Sequence, residues 1–182
     1  MQVDKTKFKD VVIITPNVYG DDRGYFLETF NAKTWEGVIP DRPFVQDNES
    51  KSTRGVLRGL HFQKPPFTQA KLVRVVEGTV LDIIVDLRKS EPTYGQSIGV
   101  ELSAENKKMF YVPRGFAHGF VVLSESAIFA YKCDNYYSQE HDGGVYALDD
   151  HLALDWGLPT EDIQLSDKDK KQDHWGQHFI FE

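Results

Sequence analysis

Apolar residues along this chain fall in short runs divided by turn residues, the signature of strands rather than of amphipathic helices. A compact run at 11–15 ends at Pro16, and Asp21-Asp22-Arg23-Gly24 reads as a turn leading into a strand at 25–30. Runs at 56–62, 72–77 and 80–87 follow, the last two split by Gly78, which predicts a hairpin there. The series continues at 99–102, 110–112, 116–123 and 127–133, while helical signal is confined to 33–36 and the C-terminal tail. Many short strands at regular spacing predict an all-β fold, here a double-sheet jelly roll with short peripheral helices. No repeat, low-complexity tract or Pro/Gly-rich linker divides the chain, so residues 1–182 are expected to form one domain with its jelly-roll core over roughly 44–150. The open edges of such a roll must be covered or paired. Pairing of the β-rich N-terminal third with a second copy would do this, which predicts a homodimer.

Composition narrows the setting. Aromatic residues make up 13% of the chain, which favours pleated, half-buried surfaces. No apolar stretch approaches the ~20 residues of a membrane-spanning helix, and residues 1–10 are too polar for a signal peptide. A single cysteine, Cys133, forms no internal disulfide, so the chain is expected in the reducing cytoplasm. The net charge of −7 argues against a nucleic-acid binder. A small anionic ligand needs only a local group of cations, and Arg54, Arg58, Lys71 and Arg74 lie close together in sequence. Each taken singly also fits a solvated strand-edge charge.

Two motifs carry candidate chemistry. Arg58-Gly59-Leu60-His61-Phe62-Gln63 ends a predicted strand. Plain alternation does not put Arg58 and His61 on one face, so a bulge or twist near Gly59 is needed to align them. Histidine is the natural proton shuttle at neutral pH, although His61 also fits a ring satisfied by core hydrogen bonds. Pro113-Arg114-Gly115-Phe116-Ala117-His118 resembles the second motif of the cupin superfamily, whose histidine commonly binds a metal. The His-x-His pair of a cupin metal site is missing, because His61 is followed by Phe62 and Gln63. Two scattered histidines fall short of three protein ligands, so no metal is expected. No Gly-x-Gly-x-x-Gly or Walker pattern signals a nucleotide cofactor either.

A longer resemblance runs from about Val11 to Asp169. Asp21-Asp22-Arg23-Gly24-Tyr25-Phe26-Leu27-Glu28, Phe44-Val45-Gln46-Asp47-Asn48, the 56–63 run, Lys71-Leu72-Val73-Arg74 and the 113–120 run occur in order. Tyr131-Lys132, Asn135-Tyr136-Tyr137 and Leu165-Ser166-Asp167-Lys168-Asp169 extend them. Together they closely resemble the dTDP-4-dehydrorhamnose 3,5-epimerase family of cupin-like jelly rolls. The resemblance implies a homodimer without cofactor that inverts carbons 3 and 5 of dTDP-4-keto-6-deoxy-D-glucose on the way to dTDP-L-rhamnose. It implies His61 as general base with Asp169 as its carboxylate partner, Tyr131 as general acid, and Lys71 near the sugar's keto oxygen. It further implies substrate contacts from Arg23, Glu28, Gln46, Asn48, Arg58, His118, Tyr136, Asp142 and Lys168. Without the resemblance, Tyr131 fits a core tyrosine and Asp169 a solvated carboxylate in a charged stretch.

The chain departs from the family at Trp156-Gly157-Leu158-Pro159 and in its aromatic tail at 173–182. Three other readings remain at this point: a mono-epimerase or ketoisomerase on a related nucleotide sugar, a metal-dependent cupin enzyme, and a non-catalytic sugar-nucleotide-binding module.

Overall fold

The computed structural model describes all 182 residues. Its strands are β1 (Gln2–Lys5), β2 (Val12–Thr15), β3 (Val18–Asp21), β4 (Gly24–Leu27), β5 (Gln46–Thr53), β6 (Leu57–Gln63), β7 (Lys71–Glu77), β8 (Thr79–Asp86), β9 (Ser97–Ser103), β10 (Met109–Val112), β11 (Phe116–Val122), β12 (Ser126–Cys133) and β13 (Asp142–Gly144). One antiparallel sheet runs β1-β2-β10-β7-β12-β5 and a second runs β13-β6-β11-β8-β9, while β3 and β4 pair only with each other. The two larger sheets meet face to face as the predicted jelly roll. Val73, Val75, Phe110 and Phe129 of the first pack against Val80, Ile84, Phe120 and Val122 of the second.

Both outer faces are covered as well, which explains the near-continuous apolar runs. Val12, Ile14, Leu72 and Met109 lie under Trp35, Phe30 and Phe44 from the 28–45 connection. Leu57, Leu60, Phe62, Ile83 and Val121 lie under Val145, Trp156 and Phe181 from the C-terminal third. No helix is long and apolar enough to cross a membrane.

Three sequence expectations are corrected. Gly78 does not make a hairpin, because β7 and β8 belong to different sheets. One residue is too short for a hairpin loop, which needs at least two. It serves instead as the corner between sheets, at φ +78 and so close to Ser126 that an added Cβ would lie 2.0 Å from its carbonyl oxygen. Residues 33–36 form turns rather than a helix: Asn31 Oδ1 accepts the Lys33 amide at 3.1 Å, and Gly37 turns away at φ +73. Four residues do not repay helix nucleation. Helix is limited to three single 3₁₀ turns, Gln139–His141, Thr160–Asp162 and Asp169–Lys171, and none lies in the tail at 173–182. The strand expected at 25–30 stops at Leu27, and β1, β3, β5 and β13 were not predicted.

The bulge required near Gly59 is present. Along β6 and β11, Arg58 pairs with Phe120 and His61 with His118, so Gly59 and Leu60 together span Gly119. The extra residue brings Arg58 and His61 onto one face. Gly59 sits at φ +131, with an added Cβ only 2.5 Å from the Gly119 Cα. Gly59→Ala should therefore lower stability by about 1–3 kcal/mol through backbone strain and contact. Chemical denaturation checks this, and an unchanged midpoint would mean that the bulge tolerates a side chain.

Candidate active site

Between the sheets the apolar core gives way to a cavity of about 560 Å3. The first sheet supplies Lys71 and Tyr131 to its wall, and the second supplies Arg58, His61 and His118. A smaller lobe of about 200 Å3 shares His61, Lys71, Tyr131 and Lys168 with it and adds Gln46, Asn48, Gln63, Tyr137 and Asp142. Cross-strand register explains the grouping. Tyr131 lies opposite Asn48 and Val73, and Cys133 opposite Gln46 and Lys71. Directly opposed residues share a face, so all of them point between the sheets.

Asp169 begins the last 3₁₀ turn and meets His61 Nε2 at 2.5 Å through Oδ1. Ser166 closes the arrangement: its hydroxyl donates to Asp169 Oδ2 at 2.9 Å and accepts the Asp169 amide at 3.1 Å. Burial alone would push the Asp169 carboxyl up, but the bonds from His61 and Ser166 outweigh it and hold the group below the usual carboxylate range. The Asp169 side chain is 5% exposed and His61 30%, so the dyad is anchored at its carboxylate and open at its ring. A carboxylate on one ring nitrogen sets the tautomer and stabilises the imidazolium, leaving the other nitrogen for proton transfer.

The remaining polar groups differ in character. His118 is buried, with both Asp82 oxygens 2.9–3.0 Å from its Nε2. Burial lowers its pKa despite that carboxylate. The Lys71 ammonium has no ion pair, and burial depresses its pKa from the ordinary lysine value. Burial raises the pKa of Tyr131, keeping the phenol protonated at neutral pH. Burial likewise pushes the Cys133 thiol up to about 11, which leaves it unreactive. No three His, Cys, Asp or Glu side chains converge in a way that could hold a metal ion.

A family model described as dTDP-4-dehydrorhamnose 3,5-epimerase matches residues 5–177. The chain belongs to the dTDP-4-dehydrorhamnose 3,5-epimerase family. A relative from Shigella flexneri bearing that name is 50% identical over 99% of this chain and 97% of its own. The crystal structure of an Elizabethkingia anophelis epimerase of the same name aligns at TM-score 0.91 and 54% identity, covering 96% of both chains. The Legionella pneumophila enzyme, solved in complex with dTDP-4-keto-L-rhamnose, aligns at TM-score 0.91 and 49% identity, covering 95% of this chain and 92% of its own.

Within this epimerase fold, His61, Lys71, Tyr131 and Asp169 all line the same cavity, together with Arg58, His118 and Lys168. Gln46, Asn48 and Asp142 line the adjoining lobe, where the Asp142 carboxylate pairs with Lys168. Three residues matched to substrate contacts lie elsewhere. Arg23 is bound to Asp21 at the exposed tip of the β3–β4 hairpin, and Glu28 accepts from Asn31 and Thr34. Tyr136 is 61% exposed and lines neither cavity, while its neighbour Tyr137, 52% exposed, lines the lobe. The reason is local: the Tyr136 amide caps onto Asn135 Oδ1, while the Tyr137 amide donates to Gln46 Oε1 at 3.0 Å.

The four clustered cations also separate. Arg58 and Lys71 face the cavity, Arg74 lines a groove with Met109 and Lys132 on the other face of its sheet, and Arg54 donates to the Leu123 carbonyl. Residues 71 and 74 differ by an odd number on one strand, which puts them on opposite faces. Ser166 and Gln63 were missed as site residues although both stand inside quoted motifs. Gln63 accepts the Ser138 amide at 2.8 Å and donates to Asp142 at 3.2 Å, shaping the lobe.

Proposed function

We propose that the chain, acting as one domain, epimerises carbons 3 and 5 of dTDP-4-dehydro-6-deoxy-D-glucose to give dTDP-4-dehydro-L-rhamnose for dTDP-L-rhamnose biosynthesis. The observation that carries this reading is the placement of His61 and Tyr131 on opposing sheets across one cavity, with Lys71 beside them. A ketone acidifies the hydrogens on its flanking carbons because the carbanion delocalises into an enolate. His61, backed by Asp169, removes such a proton from one side, and Tyr131 delivers a proton from the other, which inverts the carbon. The Lys71 ammonium stabilises the enolate oxygen. A proton leaves and a proton returns, so the chemistry is redox-neutral.

The guanidinium of Arg58 suits the diphosphate, while Gln46, Asn48, Tyr137 and Asp142 line the lobe where nucleotide or sugar hydroxyls bind. Arg23 and Glu28 act from a second copy in a homodimer. The β3–β4 hairpin supports this: it pairs with no other strand, yet exposes Tyr19, Tyr25 and Phe26 at 62%, 60% and 69%. An isolated hairpin is marginal in water, and an apolar patch of this kind marks an interface. The setting is the cytoplasm, which suits a lone buried thiol.

Incubation with dTDP-4-dehydro-6-deoxy-D-glucose in heavy water, followed by proton NMR, tests the reaction. Deuterium is expected at both carbon 3 and carbon 5. Exchange at one carbon alone would turn the reading to a mono-epimerase, and exchange at neither would overturn it. Sedimentation checks the dimer, since the mass of a single chain at micromolar concentration would count against the second copy.

A further inference from the structure

The aromatic tail that follows Asp169 is tied to the rest of the molecule at three places. Asp173 bridges to Val145, and its carbonyl accepts the Tyr146 amide at 2.8 Å. Asp149 Oδ2 accepts both His174 Nδ1–H at 2.7 Å and the Trp175 amide at 3.0 Å, while Oδ1 accepts the His151 amide at 2.9 Å. Phe181 bridges to Arg88 through the bonds Phe181 N–H to Leu87 O and Lys89 N–H to Phe181 O. The middle tie is buried on one side only: the Asp149 side chain is 4% exposed and His174 63%.

The tie lies close to the chemistry. Gly144, one residue before Val145, pairs in register with His61, and the Gln172 side chain packs directly on Gly144. Val145 exchanges both backbone hydrogen bonds with Leu60, the neighbour of His61. Only residues 170–173 separate Asp169 from the residues that Asp149 holds. A segment this short couples its two ends, with Asp169 in its 2.5 Å contact with His61 at one and the residues held by Asp149 at the other.

We propose that Asp149 is a positioning residue, which by holding His174 and Trp175 keeps Asp169 against the His61 ring. The inference rests on the reading of His61 and Asp169 as the proton-abstracting dyad. Asp149 lies outside the cavity and touches no reacting atom, so its effect passes through Asp169.

The test is a cycle of Asp149→Ala, Asp169→Ala and the double variant, with kcat, KM and the pH profile of kcat/KM measured for each. Asp149→Ala is expected to lower kcat roughly 10- to 100-fold with little change in KM, as misplacement of a catalytic group does. On the Asp169→Ala background the same change should cost less than about twofold, since residues acting through one another are not additive. The acid limb of the profile should move to lower pH in both single variants, because one deletes the Asp169 carboxylate that stabilises the imidazolium and the other lets it drift from the His61 ring. Purely structural damage would leave that limb in place. His174→Ala, a change at an exposed side chain, should show a smaller fall with the same non-additivity, and it carries the test should Asp149→Ala not fold. A full rate, or an equal loss in both backgrounds, would overturn the positioning role. An undiminished rate in Asp169→Ala would instead remove the dyad reading itself.

Discussion

His61→Gln should suppress proton exchange at both sugar carbons and lower turnover by at least ~10²-fold, within the ~10²–10⁴ that a positioned base contributes. Glutamine is chosen over alanine for a physical reason. Asp169 is buried, and deleting its partner outright leaves an uncompensated carboxylate, with a cost of about 1–3 kcal/mol that would blur the result. Asp169 meets the ring at Nε2, which the glutamine amide nitrogen reaches, so the variant still donates to Asp169 but has no basic nitrogen at neutral pH. The strand itself is held by Leu60 and Phe62, both buried, so the variant is expected to fold and to bind dTDP as the parent does. Exchange followed in heavy water separates the steps. Retention of more than a tenth of the parental rate would exclude His61 as the base.

Lys71→Met should move activity and stability in opposite directions. Removing a preorganised cation from a developing oxyanion costs on the order of 10²–10³ in turnover. Stability, by contrast, should stay level or rise. Desolvation depresses the pKa of the half-buried Lys71 ammonium, so between that value and its ordinary one near 10.4 the unfolded chain binds more protons than the folded one. Stability therefore increases with pH across that window, and below it the charge opposes folding. Methionine has similar length and no charge to desolvate, which removes that opposition. Thermal melts of the parent and variant at pH 7, with turnover measured in parallel, check both signs. A clear loss of stability would mean that the ammonium has structural partners in the folded protein, and unchanged turnover would remove it from the mechanism.

How much of this was legible beforehand varies by element. The strands from 56 to 133 were readable because both sheets are covered on both faces, so their residues form apolar runs. β5 was invisible for the opposite reason. Gln46–Thr53 contains no apolar residue, because its inward positions Gln46, Asn48 and Ser50 line the cavity rather than the core. A site-forming strand hides from hydrophobic patterning because its inner face must stay polar. Gly78 announced a turn, but whether the chain reversed within one sheet or crossed to another depended on packing around Ser126. The need for a bulge at Gly59 followed from the spacing of Arg58 and His61 alone, and the register with Gly119 supplied it.

For the site, residue types alone set which chemistries were available: an imidazole, a phenol, an ammonium and carboxylates inside motifs that resemble one family. It could not bring Asp169 to His61, since 108 residues separate them and nothing local in Asp167-Lys168-Asp169 distinguishes a buried partner from a solvated charge. Tertiary structure set that pairing, sorted Lys71 from Arg74 by strand alternation, and put Tyr137 rather than Tyr136 on the wall of the lobe. It also held Arg23 and Glu28 away from the cavity of their own chain. The physical reason is common to all of these. Side-chain type and local periodicity are properties of the chain. Which face a residue presents, and what it meets there, depends on register and on sheets assembled from distant segments.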